Sequence, residues 1–347
     1  MKKLLIPLFS AAVLVSCGTA KTAEGAPAQS SSSAKGDKAF LSAYKFIKAD
    51  ELKKNLYVIA SDEMGGRDTG SPGQKKAGEY MINYYKGLGI SYPKALGSYY
   101  QKVPSEFMKK RGGGNLPDSE NILAFIEGSE KPEEIVVISA HYDHVGTKNG
   151  VVYNGADDDG SGTVAVMQIA KAFQEAKKAG KGPKRSILFL HVTGEEHGLF
   201  GSDYYTSNPV FPLANTVVDL NIDMIGRDDP DNRGKQYVYV IGSEMLSSQL
   251  KVINEEANKR TNNLELNYKY DDPNDPQQLY YRSDHYNFAK NNVPVAFYFD
   301  GIHEDYHRPT DDPDKIDYPL LEKRTQLVFA TAWEIANRAE RIVVDKK

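Results

Sequence analysis

Imidazole and carboxylate side chains recur in five short segments of this 347-residue chain. Three of them are His141-Tyr142-Asp143-His144, Gly155-Ala156-Asp157-Asp158-Asp159-Gly160 and Gly194-Glu195-Glu196-His197-Gly198. Asn221-Ile222-Asp223 and Gly301-Ile302-His303-Glu304-Asp305-Tyr306-His307 complete the set. Side chains of these types bind divalent cations and move protons. Taken singly, each segment has a plain explanation. A His-x-Asp pair is most often hydrogen-bonded at a surface, and three consecutive aspartates can form a solvated turn. Glu195-Glu196 can be a helix N-terminal pair favoured by the dipole. The common motifs do not apply. The aspartates are adjacent, unlike the alternate spacing of an EF-hand. No lysine follows Gly160-Ser161-Gly162, so it is not a phosphate loop, and His191 and His197 lack zincin spacing.

What joins the five segments is the position of each in the chain. Glu134–Ala140 (EIVVISA) and Ser186–Val192 (SILFLHV) are apolar runs that predict buried strands. Thr216–Ile222, Gln236–Ile241 and Pro294–Phe299 predict three more. Residues 163–178, 244–260 and 320–341 carry apolar faces at helical spacing. Strands alternating with helices imply one α/β domain, with a mixed, mostly parallel central sheet and helices on both faces. Asn121–Glu127 is expected to pair with the next strand as a hairpin. In such a sheet, functional groups collect at the carboxyl ends of parallel strands. Clusters at the ends of several strands on one edge therefore indicate a single shared polar site.

Composition removes other classes. Hydrophobic residues make up 40% and charged residues 26%, ordinary for a globular chain, and the formal net charge of −4 is not that of a nucleic-acid binder. The 22 tyrosines scatter without a stacking pattern. At the N-terminus, Lys2 and Lys3 precede a short apolar run, Leu4–Val15, which predicts a signal peptide over residues 1–16. Leu14-Val15-Ser16-Cys17 resembles the lipobox of bacterial lipoproteins, in which the cysteine is acylated; an ordinary secretory peptide with a chance cysteine is the alternative. Cys17 is the single cysteine, so no intramolecular disulfide can form. Residues 17–38, rich in Ser, Ala, Gly and Lys, are expected to form a tether with a reach of about 25 Å. The catalytic domain is expected over 39–347 with no inserted domain. The implied location is the bacterial cell envelope, outer membrane or periplasm-facing, since Gly18 supplies no aspartate-type inner-membrane retention signal.

The order of the motifs is itself informative. HYDH, GADDDGSG, GEEHGLFGS, NIDMIG and YHRPTDD resemble the co-catalytic zinc exopeptidases of the aminopeptidase Y and bacterial leucyl aminopeptidase type. Gly66-Arg67-Asp68-Thr69-Gly70-Ser71 is similar to the GR-x-x-GS loop before that family's first helix. The resemblance covers the chain from about Asp50 to Ile316.

It implies an exopeptidase, most simply an aminopeptidase, holding two zinc ions with His141, Asp157, Glu196, Asp223 and His307. Asp157 would bridge the ions, with a cis peptide to Asp158, and manganese or cobalt would also suit such ligands. Glu195 would be the general base, and Asp143 would orient the His141 imidazole. Ser283-Asp284-His285 resembles a family segment near the substrate, which makes Tyr281 and Ser283 candidate substrate contacts. His144, His191 and His197 match no ligand position, and packing is the expectation for them; His303 also lies outside the Tyr-His-x-x-x-Asp pattern.

Other readings stay open at this level. A glutaminyl cyclase of the same fold uses one zinc, and a carboxypeptidase would need a cationic anchor, for which Arg67, Arg227 and Arg282 are candidates. A non-catalytic binding module would have lost ligands or base. Partners are peptide substrates and, through Cys17, a membrane.

Overall fold

The computed structural model describes Met1, residues 38–272 and residues 274–346. The expected signal peptide, Cys17 and nearly all of the tether lie outside the described residues. The strands are, in chain order, β1 (Tyr100–Val103), β2 (Ser119–Ile126), β3 (Lys131–His141), β4 (Thr147–Lys148) and β5 (Val151–Val152). They continue as β6 (Arg185–Val192), β7 (Thr216–Ile222), β8 (Tyr237–Ile241), β9 (Glu265–Asn267) and β10 (Val295–Phe299). Eight of these form one sheet in the order β1-β2-β6-β3-β7-β10-β8-β9, while β4 and β5 make a small hairpin. The four central strands, β6, β3, β7 and β10, run parallel. β1, β2 and β8 join antiparallel.

The central strands are apolar throughout because both their faces are covered. Val136, Ile138 and Ala140 of β3 enter one core, shared with Ile187 and Phe189 of β6 and with residues of 162–178 and 318–337. Ile135 and Val137 alternate to the opposite face, where Leu188, Leu190, Tyr205 and Phe288 meet them. The first face is covered by long helices, including Gly162–Lys178 and Tyr318–Asn337, and the second by the short helices Phe200–Ser207 and His285–Ala289. Among the described residues no helix is long and apolar enough to cross a membrane.

Three expectations are corrected. β2 does not form a hairpin with β3; its neighbours are β1 and β6. The backbone N–H groups of Ser129, Glu130 and Lys131 donate to Pro183 and Lys184, so the connection passes over the start of β6. Four residues span the two strand spacings this requires, about 9.5 Å. The helix expected over 244–260 begins only at Leu250. The helix expected over 320–341 runs Tyr318–Asn337, opened by the Asp317 side chain accepting from the Leu320 N–H and by Pro319.

Candidate metal centre

The carboxyl ends of the four parallel strands share one edge. His141 is the last residue of β3, Glu195 and Glu196 follow β6, Asp223 follows β7, and the loop to His307 follows β10. Arg67, fully buried, locks the loops beneath them. It donates to the carbonyls of Ile59, Tyr142, Asn154 and Gly155. That role excludes it as a substrate anchor.

His141 Nε2 lies 3.2 Å from Asp158 Oδ1, 3.5 Å from Asp223 Oδ1 and 3.9 Å from Glu195 Oε2. On the other side, His307 Nε2 lies 3.1 Å from Asp158 Oδ2 and 2.9 Å from Glu196 Oε2. The Asp158 carboxylate therefore presents one oxygen to each group. Asp157 does not stand there. Its Oδ1 accepts the Gly226 N–H at 2.7 Å, and its Oδ2 faces His303 Nε2 at 3.1 Å. The expected bridging place of Asp157 is thus taken by Asp158, because the Gly226 amide and His303 hold Asp157 on the far side of the loop. The cis peptide expected before Asp158 lies after it, between Asp158 and Asp159.

The supporting contacts also differ in detail. His141 Nδ1 lies 3.1 Å from the Asp143 backbone oxygen and 3.7 Å from its carboxylate. The Asp143 carboxylate instead accepts from the Thr69 hydroxyl at 2.9 Å and the Glu195 N–H at 3.3 Å. Ser283 donates to Asp223 Oδ2 at 2.7 Å, so it fixes that carboxylate. Tyr281 is half exposed and stands outside the cleft lining, which Ser283 and Arg282 enter. The cleft is walled by Met224, Leu279, Phe297, Phe299, Ile302 and Tyr306, with Asp158, Glu195 and Asp223 at its polar end.

The electrostatics call for a cation. Burial pushes Glu195 well above the usual carboxylate range, helped by Asp223 and Glu196. Burial alone would lower His307, yet Asp158 and Glu196 push it up to about 10. Buried carboxylates at this density need compensating charge, from protonated imidazoles or from bound metal. His141 Nε2, His144 Nδ1, Asp158 Oδ2 and Glu196 Oε1 are all buried without a hydrogen-bond partner. Orphaned donors of both kinds, facing one another and lacking thiolates, fit a pair of zinc ions.

Residues 121–332 match the family model described as Peptidase family M28. The chain belongs to peptidase family M28. Among sequence relatives, a probable zinc metalloprotease of Leptosphaeria maculans is 34% identical over 35% of this chain and 27% of its own length. A vacuolar membrane protease of Tuber melanosporum is 36% identical over 30% of this chain and 10% of its own. These first relatives are thus matched over about a quarter of their length or less. A probable leucine aminopeptidase of Trichophyton verrucosum is 28% identical over 84% of this chain and 74% of its own. The crystal structure of the Legionella pneumophila LapA aminopeptidase superposes with a TM-score of 0.68 at 18% identity, covering 98% of this chain and 81% of that one. A glutaminyl cyclase from Bacteroides thetaiotaomicron bound to N-acetylhistamine gives 0.63 at 17% identity, covering 83% and 98%. At such identities the likeness shows the M28 fold. The expected bacterial cell-envelope location is overturned by the sequence relatives, which are fungal and plant proteins and include vacuolar membrane proteases.

Around the expected ligands the structure also places Asp158, Asp311, His303 and His144, none of which the sequence motifs single out. The backbone N–H groups of Asp157 and Asp158 donate to the Asp311 carboxylate at 3.0–3.1 Å. His144 lies in the same HYDH cluster as His141, and that nearness was its available signal. His191 packs as expected, 2.6 Å from the Tyr85 hydroxyl.

Proposed function

We propose that this chain is an aminopeptidase that removes N-terminal residues with apolar side chains from peptides, using two zinc ions. The ligands in this reading are His141, Asp223, Glu196 and His307, with Asp158 shared. The observation that carries it is the Asp158 carboxylate, whose two oxygens stand 3.2 Å from His141 and 3.1 Å from His307. The aminopeptidase reading is supported by the probable leucine aminopeptidase relative, which matches 84% of this chain over 74% of its own length. The Met224, Phe297, Phe299 and Ile302 wall suits an apolar side chain.

Bound zinc supplies Lewis acidity toward the scissile carbonyl and the attacking water. Glu195 accepts one proton from that water as its oxygen bonds to the carbonyl carbon. It then delivers the proton to the departing nitrogen as the C–N bond breaks. A carboxyl whose affinity for protons is raised by burial is suited to hold that proton between the two steps. Asp143 holds the Glu195 backbone, and Ser283 holds Asp223.

Release of p-nitroaniline from aminoacyl substrates, run beside cyclisation of glutaminyl peptides, tests the reading. Leucyl and phenylalanyl substrates should be cleaved, with chelation abolishing activity and about two zinc ions per chain restoring it. Cyclisation without hydrolysis would establish the glutaminyl cyclase alternative instead. Acylation at Cys17 belongs to the same proposal and rests on residues 14–17; the mass of the mature chain tests it.

A further inference from the structure

We propose that His144 is an additional metal ligand, joining Glu196, Asp158 and His307 around one of the two ions. The inference rests on the dinuclear reading above. His144 is fully buried, and its Nδ1 stands 2.7 Å from Glu196 Oε1 and 3.7 Å from Asp158 Oδ2. Atoms that share an ion at about 2.0–2.1 Å cannot lie more than about 4.2 Å apart. Both separations meet that limit, as do those from His307 Nε2 to the same two carboxylates.

The competing role is a hydrogen bond that merely steadies Glu196. The geometry disfavours it: despite the short separation, neither His144 Nδ1 nor Glu196 Oε1 has a hydrogen-bond partner. Together with Asp158, His144 and Glu196 offer ligand atoms that all lie within 4.8 Å of one another. Backbone shape contributes to this placement. Gly155, at a φ of +55°, lies under the ring, and a Cβ there would come within 2.4 Å of His144 Cγ. The His144 backbone N–H is tied to the Arg67 carbonyl.

The consequence is an asymmetric pair. Four side chains, His144, Glu196, Asp158 and His307, would hold one ion, as in closed zinc sites, against three, His141, Asp158 and Asp223, for the other. The ion held by four should therefore be the slower to leave.

Zinc-edge X-ray absorption of the full zinc-loaded chain tests this directly, because it counts imidazole nitrogens. The expected result is about three per two zinc ions, falling to about two in His144→Phe. A count of two in the unsubstituted chain overturns the inference. Zinc titration of the apoprotein gives a second readout: His144→Phe should weaken one ion at least tenfold and leave the other. Equal retention of both ions in a folded His144→Phe chain would also overturn it. If instead the unsubstituted chain binds no pair of ions, the proposed function fails first.

Discussion

The Asp311 carboxylate accepts the backbone N–H of Asp158 at 3.1 Å, and so holds the residue that stands between the two imidazole groups. It also accepts from Asp157 N–H, and its own affinity for a proton is raised by burial and by Asp157 to a pKa of about 6. Asp311→Ala would free two buried backbone donors and let the Asp158 loop shift. Zinc affinity should fall about 10–100-fold, the usual effect of losing an outer support. Titration of the apoprotein with zinc measures this. Unchanged affinity in a folded variant would show that Asp158 needs no such support.

Two adjacent aspartates should behave oppositely. Asp158→Asn replaces a carboxylate shared between the two groups with a weak neutral donor, so both ions should loosen and hydrolysis should stop. Asp157→Asn leaves an oxygen able to accept the Gly226 N–H and should retain two zinc ions per chain. Metal analysis after dialysis decides between them. Loss of zinc from Asp157→Asn with retention in Asp158→Asn would restore the bridging assignment expected from the motif.

The difference between those two aspartates marks the limit of what the linear chain displays. The central strands were legible because burial on both faces leaves long unbroken apolar runs, as in EIVVISA. The edge strands Tyr100–Val103 and Glu265–Asn267 and the helices Ser105–Lys109 and His285–Ala289 are three to five residues long, too short to show a period. The site was legible as a set of strand ends. Which acid of Asp157-Asp158-Asp159 faces inward is decided by backbone torsions and by partners about 70 to 150 residues away, Gly226, His303 and Asp311. His144 was hidden for the same reason, since only the loop fold over Gly155 turns its ring toward Glu196.

Glu195 and Glu196 are also neighbours with separate duties. Glu195→Gln should keep both ions yet lose the proton carrier, a loss of about 10²–10⁴ in rate. That corresponds to about 3–5.5 kcal/mol of transition-state stabilisation. Glu196→Gln removes an anionic partner of His307 and should empty or loosen one ion instead. Single-turnover rates measured beside bound zinc separate the two. Retention of both ions by Glu196→Gln, with zinc loss from Glu195→Gln, would reverse the assignment.

Away from the cleft, Asp219 lies fully buried in β7, its Oδ1 accepting from Ser139 while Oδ2 has no partner. Burial raises its pKa to about 8, partly opposed by the Ser139 hydrogen bond. Between about pH 4 and pH 8 the folded chain therefore holds a proton that the unfolded chain, with an ordinary aspartate, has released. Unfolding releases that proton, so raising the pH across this window favours the unfolded state. The penalty grows to the order of a few kcal/mol and levels off above about pH 8. Asp219→Asn cannot ionise and should escape it. Other buried acids titrate in both proteins alike, so the difference in melting temperature between variant and parent isolates this one group. That difference should move in favour of Asp219→Asn from pH 5 to pH 8. A difference that stays constant over this range would mean that Asp219 is ionised in the folded chain at neutral pH.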